Sequence, residues 1–151
     1  MEIKKVSQDK KQYLSLLLLA DEQENMIDRY LDRGTMFVLY DDGKIIGECV
    51  ITEESNGVLE IKNLAIKPEF HRIGYGKALI NHIISQYQNQ YSILQVGTGD
   101  SPLTVLFYEK CGFTRSYQIK NFFLDNYNHP IYEGGIQLIN MIYLQRKFGF
   151  H

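Results

Sequence analysis

Apolar residues recur at two spacings along the chain, and the spacing assigns the elements. Ile3 to Val6 reads as an edge strand, and Lys10 to Leu19 as a helix whose leucines cover a sheet face. Asp21 and Glu24 stand at capping-box-like spacing, so a second helix is expected from Glu22 to Leu31. Thr35 to Tyr40 and Lys44 to Thr52 flank the turn Asp41-Asp42-Gly43, and Asn56-Gly57 turns the chain into Val58 to Ile66, giving an antiparallel meander. From Gly74 to Tyr87 the side chains of Leu79, Ile80, Ile83, Ile84 and Tyr87 fall on one helical face. Tyr91 to Val96 follows as a buried strand, parallel to the preceding one because a helix joins the two. Strands near Phe113 to Phe123 and Gly135 to Arg146 complete the pattern, with Leu124 to Gly134 as a long loop between them. No repeat, low-complexity segment or interdomain linker interrupts it, so residues 1–151 are read as one domain.

Two local features carry chemistry. In Val58 to Ile66 the alternation of Leu59 and Ile61 slips at Asn63 and resumes as Leu64 and Ile66, which is what an inserted bulge residue does, so the strand is expected to kink there. Next comes His71-Arg72-Ile73-Gly74-Tyr75-Gly76-Lys77-Ala78, a turn that opens a helix. Two glycines one residue apart let the backbone expose successive N–H groups, and the helix points its free N–H groups and positive dipole end at the same place. Such a corner can hold a diphosphate, and it also serves as an ordinary tight β–α turn. Spacing excludes two familiar phosphate loops. A Walker A loop requires Gly where His71 stands and Ser or Thr where Ala78 stands, and a dinucleotide fingerprint requires Gly where Leu79 stands.

A second segment lies downstream. Ser101-Pro102-Leu103-Thr104-Val105-Leu106-Phe107-Tyr108-Glu109-Lys110-Cys111-Gly112-Phe113 reads as a short helix with Ser101 or Asp100 as N-cap, Pro102 in its first turn and Gly112 as left-handed stop. The two segments, in this order, resemble the acyl-coenzyme A loop and the Tyr-Glu-Lys-x-Gly-Phe segment of the GNAT superfamily of N-acyltransferases, with His71 in place of the usual Gln or Arg. The resemblance implies an α/β (α+β) fold: a central, mixed, mostly antiparallel sheet of six to seven strands flanked by about four helices. It implies acetyl-CoA as co-substrate. Its pantetheine amides would meet the backbone of Leu64, Ala65 and Ile66, freed by the bulge, and its diphosphate the turn from His71 through Arg72, Ile73, Gly74, Tyr75 and Gly76 to Lys77, with Ser101 and Tyr108 completing the site.

Composition narrows the class. Hydrophobic content of 44% supports a globular core, and a net charge of −2 argues against a nucleic-acid partner. Cys49 and Cys111 form no Cys-x-x-Cys pair and the four histidines show no ligand spacing, so no metal is expected. The N-terminus lacks a signal-peptide core and the Leu14 to Leu19 run is far too short to span a bilayer, so a cytoplasmic protein without membrane association is expected.

Acyl transfer to an amine needs a neutral nitrogen, a held thioester and a proton for the departing thiolate. Tyr108 is expected to supply that proton, a role the resemblance assigns to it; it would otherwise be an aromatic lid on the coenzyme arm. Glu60, just before the bulge, is the expected base, acting directly or through water, or else an ion-paired strand carboxylate. Cys111, beside Gly112, reads as a packing residue, so direct transfer in a ternary complex is preferred over an acyl-enzyme. Acceptor contacts are expected from Glu22 and Glu24 and from Tyr127 and Glu133 in the long loop, which suit a small cationic amine; the loop could equally be a homodimer contact. A protein lysine or N-terminal acetyltransferase and a non-catalytic coenzyme A sensor are the alternatives.

Overall fold

The computed structural model describes residues 1–149. After strand β1 (Glu2–Val6), a 3-10 turn (Lys10–Tyr13) and helices α1 (Leu14–Ala20) and α2 (Glu24–Ile27), the chain forms the meander β2 (Thr35–Asp41), β3 (Lys44–Glu53) and β4 (Val58–Ile66). Helix α3 (Tyr75–Tyr87), β5 (Ile93–Gly99), α4 (Pro102–Lys110), β6 (Thr114–Ile119), α5 (Phe122–Asn126), the short β7 (Tyr132–Glu133) and β8 (Ile136–Gln137), and β9 (Met141–Lys147) follow. Seven strands pair in the order β1-β2-β3-β4-β5-β9-β6, and β7 and β8 make a separate hairpin. Among the described strands only β4 and β5 run parallel, as a crossover helix between them demands.

Strand alternation sends side chains to two cores. Phe37, Leu39, Cys49, Leu59 and Ile61 pack with Leu79, Ile80 and Ile83 of α3 and with Val105 and Tyr108 of α4. Met36, Val38 and Val50 pack on the opposite face with Leu17 of α1 and with Ile27, Tyr30 and Leu31. The expected kink is present: Val50 faces Asn63 and Ile51 faces Ile61, so Lys62 has no partner on β3. Pairing of β4 with β5 ends at the same place, at Ile61 opposite Val96.

Several sequence expectations need correcting. The helix expected from Glu22 to Leu31 is a single turn, because Asp21 does not cap it; its carboxylate accepts hydrogen bonds from Tyr30 and Tyr127 instead. The following carbonyls of Leu31 and Gly34 are met by the Lys10 ammonium at 2.9 and 2.6 Å. The helix expected from Lys10 begins as a 3-10 turn. The strand expected to reach Phe123 stops at Ile119, since Phe122, Phe123 and Tyr127 turn inward to a small third core with Ile131 and Leu138. The strand expected from Gly135 is broken: Asp100 accepts the N–H groups of Ile139 and Asn140 at 3.1 Å each and starts β9 only at Met141. That use of Asp100 leaves Ser101 as the N-cap of α4, without a side-chain capping bond.

Candidate active site

The site grows from the end of β4. Beyond Ile61 its inner neighbour is gone, so alternate peptide groups of the stretch through Leu64, Ala65 and Ile66 face a gap where β5 has parted. His71 donates from Nε2 to the Ile66 carbonyl at 2.7 Å, which ties the turn back to the strand. Arg72 and Gly74 both take positive φ, 63° and 103°. The first helical bond of α3 runs from Ala78 N–H to Gly74, and the N–H groups of residues 72–77 donate to nothing among the described residues. Six free donors therefore sit together at the positive end of a 13-residue helix.

The two glycines serve different purposes. Gly74 has open space around a would-be Cβ and is glycine for its backbone angle. Gly76 is helical, and a Cβ there would lie 3.0 Å from the Phe107 ring, so it permits α3 and α4 to approach. Sequence reasoning had given both the same role.

On α4, Ser101 is fully buried with its hydroxyl unpartnered, and Tyr108 is 6% exposed with its ring edge-on to Phe107 and Phe113. Burial pushes the Tyr108 hydroxyl pKa up, and Cys49, Cys111, Glu48 and Glu133 nearby act in the same direction. Between α3, the end of α4 and β9 lies an open cavity of about 520 Å³ rimmed by Lys77, Lys110, Arg146 and Lys147. Of these only Lys77 had been singled out; the rest come together through the fold.

Glu60 lies on the opposite sheet face from α3, with Thr52 and Gln95 as register neighbours. Both of its oxygens are engaged: Oε1 accepts from Gln95 Nε2 at 2.6 Å and Oε2 pairs with Lys62 Nζ at 2.7 Å. Gln145 donates to Gln95 at 2.7 Å, and the stacked rings of Tyr117 and Tyr143, 4.5 Å apart, have their hydroxyl pKa values raised by burial and then by Glu60.

The expected acceptor residues are dispersed. Glu22 pairs with His129 at 3.1 Å and Glu24 with Lys11 at 2.7 Å, all of them about half exposed. Glu133 accepts from Thr104 Oγ1 of α4. Tyr127 donates to Asp21 at 2.7 Å, and burial raises the pKa of Asp21 against the lowering effect of that bond. The acid that sequence reasoning passed over is Glu48, fully buried on β3; its one signal was a lone carboxylate inside the apolar run Ile45 to Ile51.

Comparison with known proteins agrees with this geometry. Residues 32–115 match the family model for the acetyltransferase (GNAT) domain. The chain is 34% identical over 131 residues to YvbK of Bacillus subtilis, an uncharacterised N-acetyltransferase, covering 85% of this chain and 84% of that one. Among solved structures it superposes on a GNAT family acetyltransferase from Elizabethkingia anophelis with acetyl-CoA bound, at TM-score 0.89, 36% identity and 97% of each chain. A Bacillus subtilis acetyltransferase in complex with CoA gives TM-score 0.86 and 31% identity over 96% of this chain and 97% of that one. The IAA acetyltransferase of Bacillus cereus gives 0.88 and 34%, over 97% and 98%. This chain belongs to the GNAT acetyltransferases.

Proposed function

We propose that the protein transfers the acetyl group of acetyl-CoA directly to the primary amine of a small cationic molecule. The observation that carries this reading is the run of unused N–H groups at residues 72–77, set against the unpaired end of β4. A diphosphate satisfies those donors, and an extended arm with amide groups satisfies the exposed strand edge. The residues present fit the coenzyme in two further ways: the basic rim of Lys77, Lys110, Arg146 and Lys147 suits an additional phosphate, and the orphan Ser101 hydroxyl lacks a partner that a bound arm supplies.

The thioester brings the activated acetyl group; the chain orients it and manages protons. Tyr108, only 6% exposed, holds the proton for the departing thiolate. The cation preference rests on acids of the acceptor face, the buried Glu60 and the half-buried Asp21, whereas Glu22 and Glu24 are exposed and paired with His129 and Lys11. Glu60, with both oxygens already engaged, contributes charge to this face.

A panel of amines assayed with acetyl-CoA, with mass spectrometry of the product, tests this. Acetylation of cationic primary amines in preference to lysine peptides supports it. Coenzyme binding without any transfer would instead favour a sensor.

A further inference from the structure

The strongest unexplained feature of the molecule is a pair of buried acceptors with nothing to accept. Among the described residues, both carboxylate oxygens of Glu48 and the Oδ1 of Asn63 are buried without a hydrogen-bond partner. The Asn63 amide is fixed by its other end, where Nδ2 donates to the Leu17 carbonyl at 3.1 Å and the Tyr30 hydroxyl at 3.0 Å. Glu48 stands opposite Ala65, and Asn63 opposite Val50 two positions along, so both project from the same face of adjacent strands. Diagonal neighbours of this kind lie about 7–8 Å apart at the backbone, close enough for one small donor between the side chains.

We propose that Glu48 and Asn63 form the pocket for the reacting nitrogen of the acceptor amine, with Glu48 as the group that takes its proton. The inference rests on the transferase reading above and names the part of the site that recognises the amine. Buried acceptors in a native protein have donors, and a group that serves two of them, one anionic, is a primary ammonium. The place is right: Ala65, opposite Glu48, lies in the β4 stretch that β5 has left. The titratable groups around Glu48 are Tyr30 beyond α2, Tyr108 on α4 and the adjacent Cys49, none of them a cation. Glu60, by contrast, has both oxygens occupied.

Burial holds the Glu48 pKa well above the usual carboxylate value, and the neighbouring Ala65 amide, which does not reach hydrogen-bond geometry, offsets this only in part. That direction favours a base, since it narrows the gap to an alkylammonium of pKa about 10.4. In the step, an ammonium N–H bond breaks, its proton bonds to Glu48 and the electron pair stays on nitrogen. The nitrogen then forms the C–N bond to the acetyl carbon as the C–S bond breaks, the thiolate takes the Tyr108 proton, and the second nitrogen proton leaves to solvent. Since Glu48 is fully buried, the amine enters as the cover of α1 and α2, helices of seven and four residues, shifts.

The test follows the carbon-13 resonance of the Glu48 carboxyl against pH in the full chain saturated with coenzyme A, with and without ethylammonium chloride. The proposal expects ethylammonium to lower the Glu48 midpoint by at least one pH unit, and Glu48→Gln to weaken ethylammonium binding at least tenfold while Glu24→Gln, on an exposed ion pair, does not. A midpoint that ethylammonium leaves unmoved overturns the pocket. With an amine panel, Glu48→Gln is expected to lower kcat/KM about 100-fold with coenzyme affinity intact, and a wild-type rate overturns the proton role. A wild-type chain that acetylates no amine defeats the transferase reading, while the resonance still decides the pocket.

Discussion

The two sides of the cleft are built in different ways. On the α3 side, the strand end, turn and helix start are contiguous in sequence, and the functional groups are backbone N–H and C=O groups that any side chain leaves in place. On the α1 and α2 side, each contact joins distant residues: Tyr127 to Asp21, His129 to Glu22, Asn63 to Leu17 and Tyr30. A backbone site is fixed by local geometry, whereas a side-chain site exists only once the fold is complete. Substitutions on the first side should therefore act through conformation, and those on the second through charge and contact.

The largest expected effect is on the backbone side. Gly74→Val forces a β-branched residue to φ 103°, and coenzyme binding should be abolished in calorimetry in a chain that still folds, since no atom lies within 4 Å of the new Cβ. Gly76→Val should behave differently, lowering the melting temperature by separating α3 from α4, with affinity lost as a consequence. Equal behaviour of the two variants would erase the distinction drawn between them. Next in size, Tyr108→Phe should reduce turnover about 100-fold and coenzyme affinity little, because the ring remains; matched losses would make it a lid.

Smaller effects belong to the other side. Tyr127→Phe removes one bond to the Asp21 carboxylate and should cost about 1 kcal/mol in denaturant unfolding, with the acceptor KM raised and coenzyme affinity unchanged. For Glu48, burial raises the folded-state pKa above the unfolded value near 4.5, so the folded chain binds the extra proton and stability falls as pH rises from there toward the folded pKa. Glu48→Gln should be more stable than wild type near neutrality, with the difference vanishing toward pH 4.5 in thermal scans. Glu24→Gln, on an exposed pair, should change neither stability nor activity measurably.

The same contrast explains what the sequence disclosed. The kink of β4, read at Asn63 and found one residue earlier at Lys62, the helix after Gly74, the stop at Gly112 and the meander are written in local alternation and turn residues. Helix α5 and the break before β9 depend on Phe123 finding Ile131 and Leu138, and on Asp100 finding Ile139, contacts that no local period announces. Within the site, residues 72–77 could be read from spacing, but the basic rim joins α3, α4 and β9, and the pairing of Glu22 and Glu24 requires His129 and Lys11. Glu48 was visible as a polar residue in an apolar strand; that its oxygens would lack donors was not.

The central claim is that the unused N–H groups at the head of α3 hold the coenzyme. Backbone amide resonances of the nitrogen-15-labelled chain, followed during titration with acetyl-CoA, test it residue by residue. The account predicts saturable shifts that are largest for Arg72 through Lys77, with Leu64 to Ile66 next and the α2 segment little affected. Saturable binding that leaves the amides of residues 72–77 unmoved would contradict it.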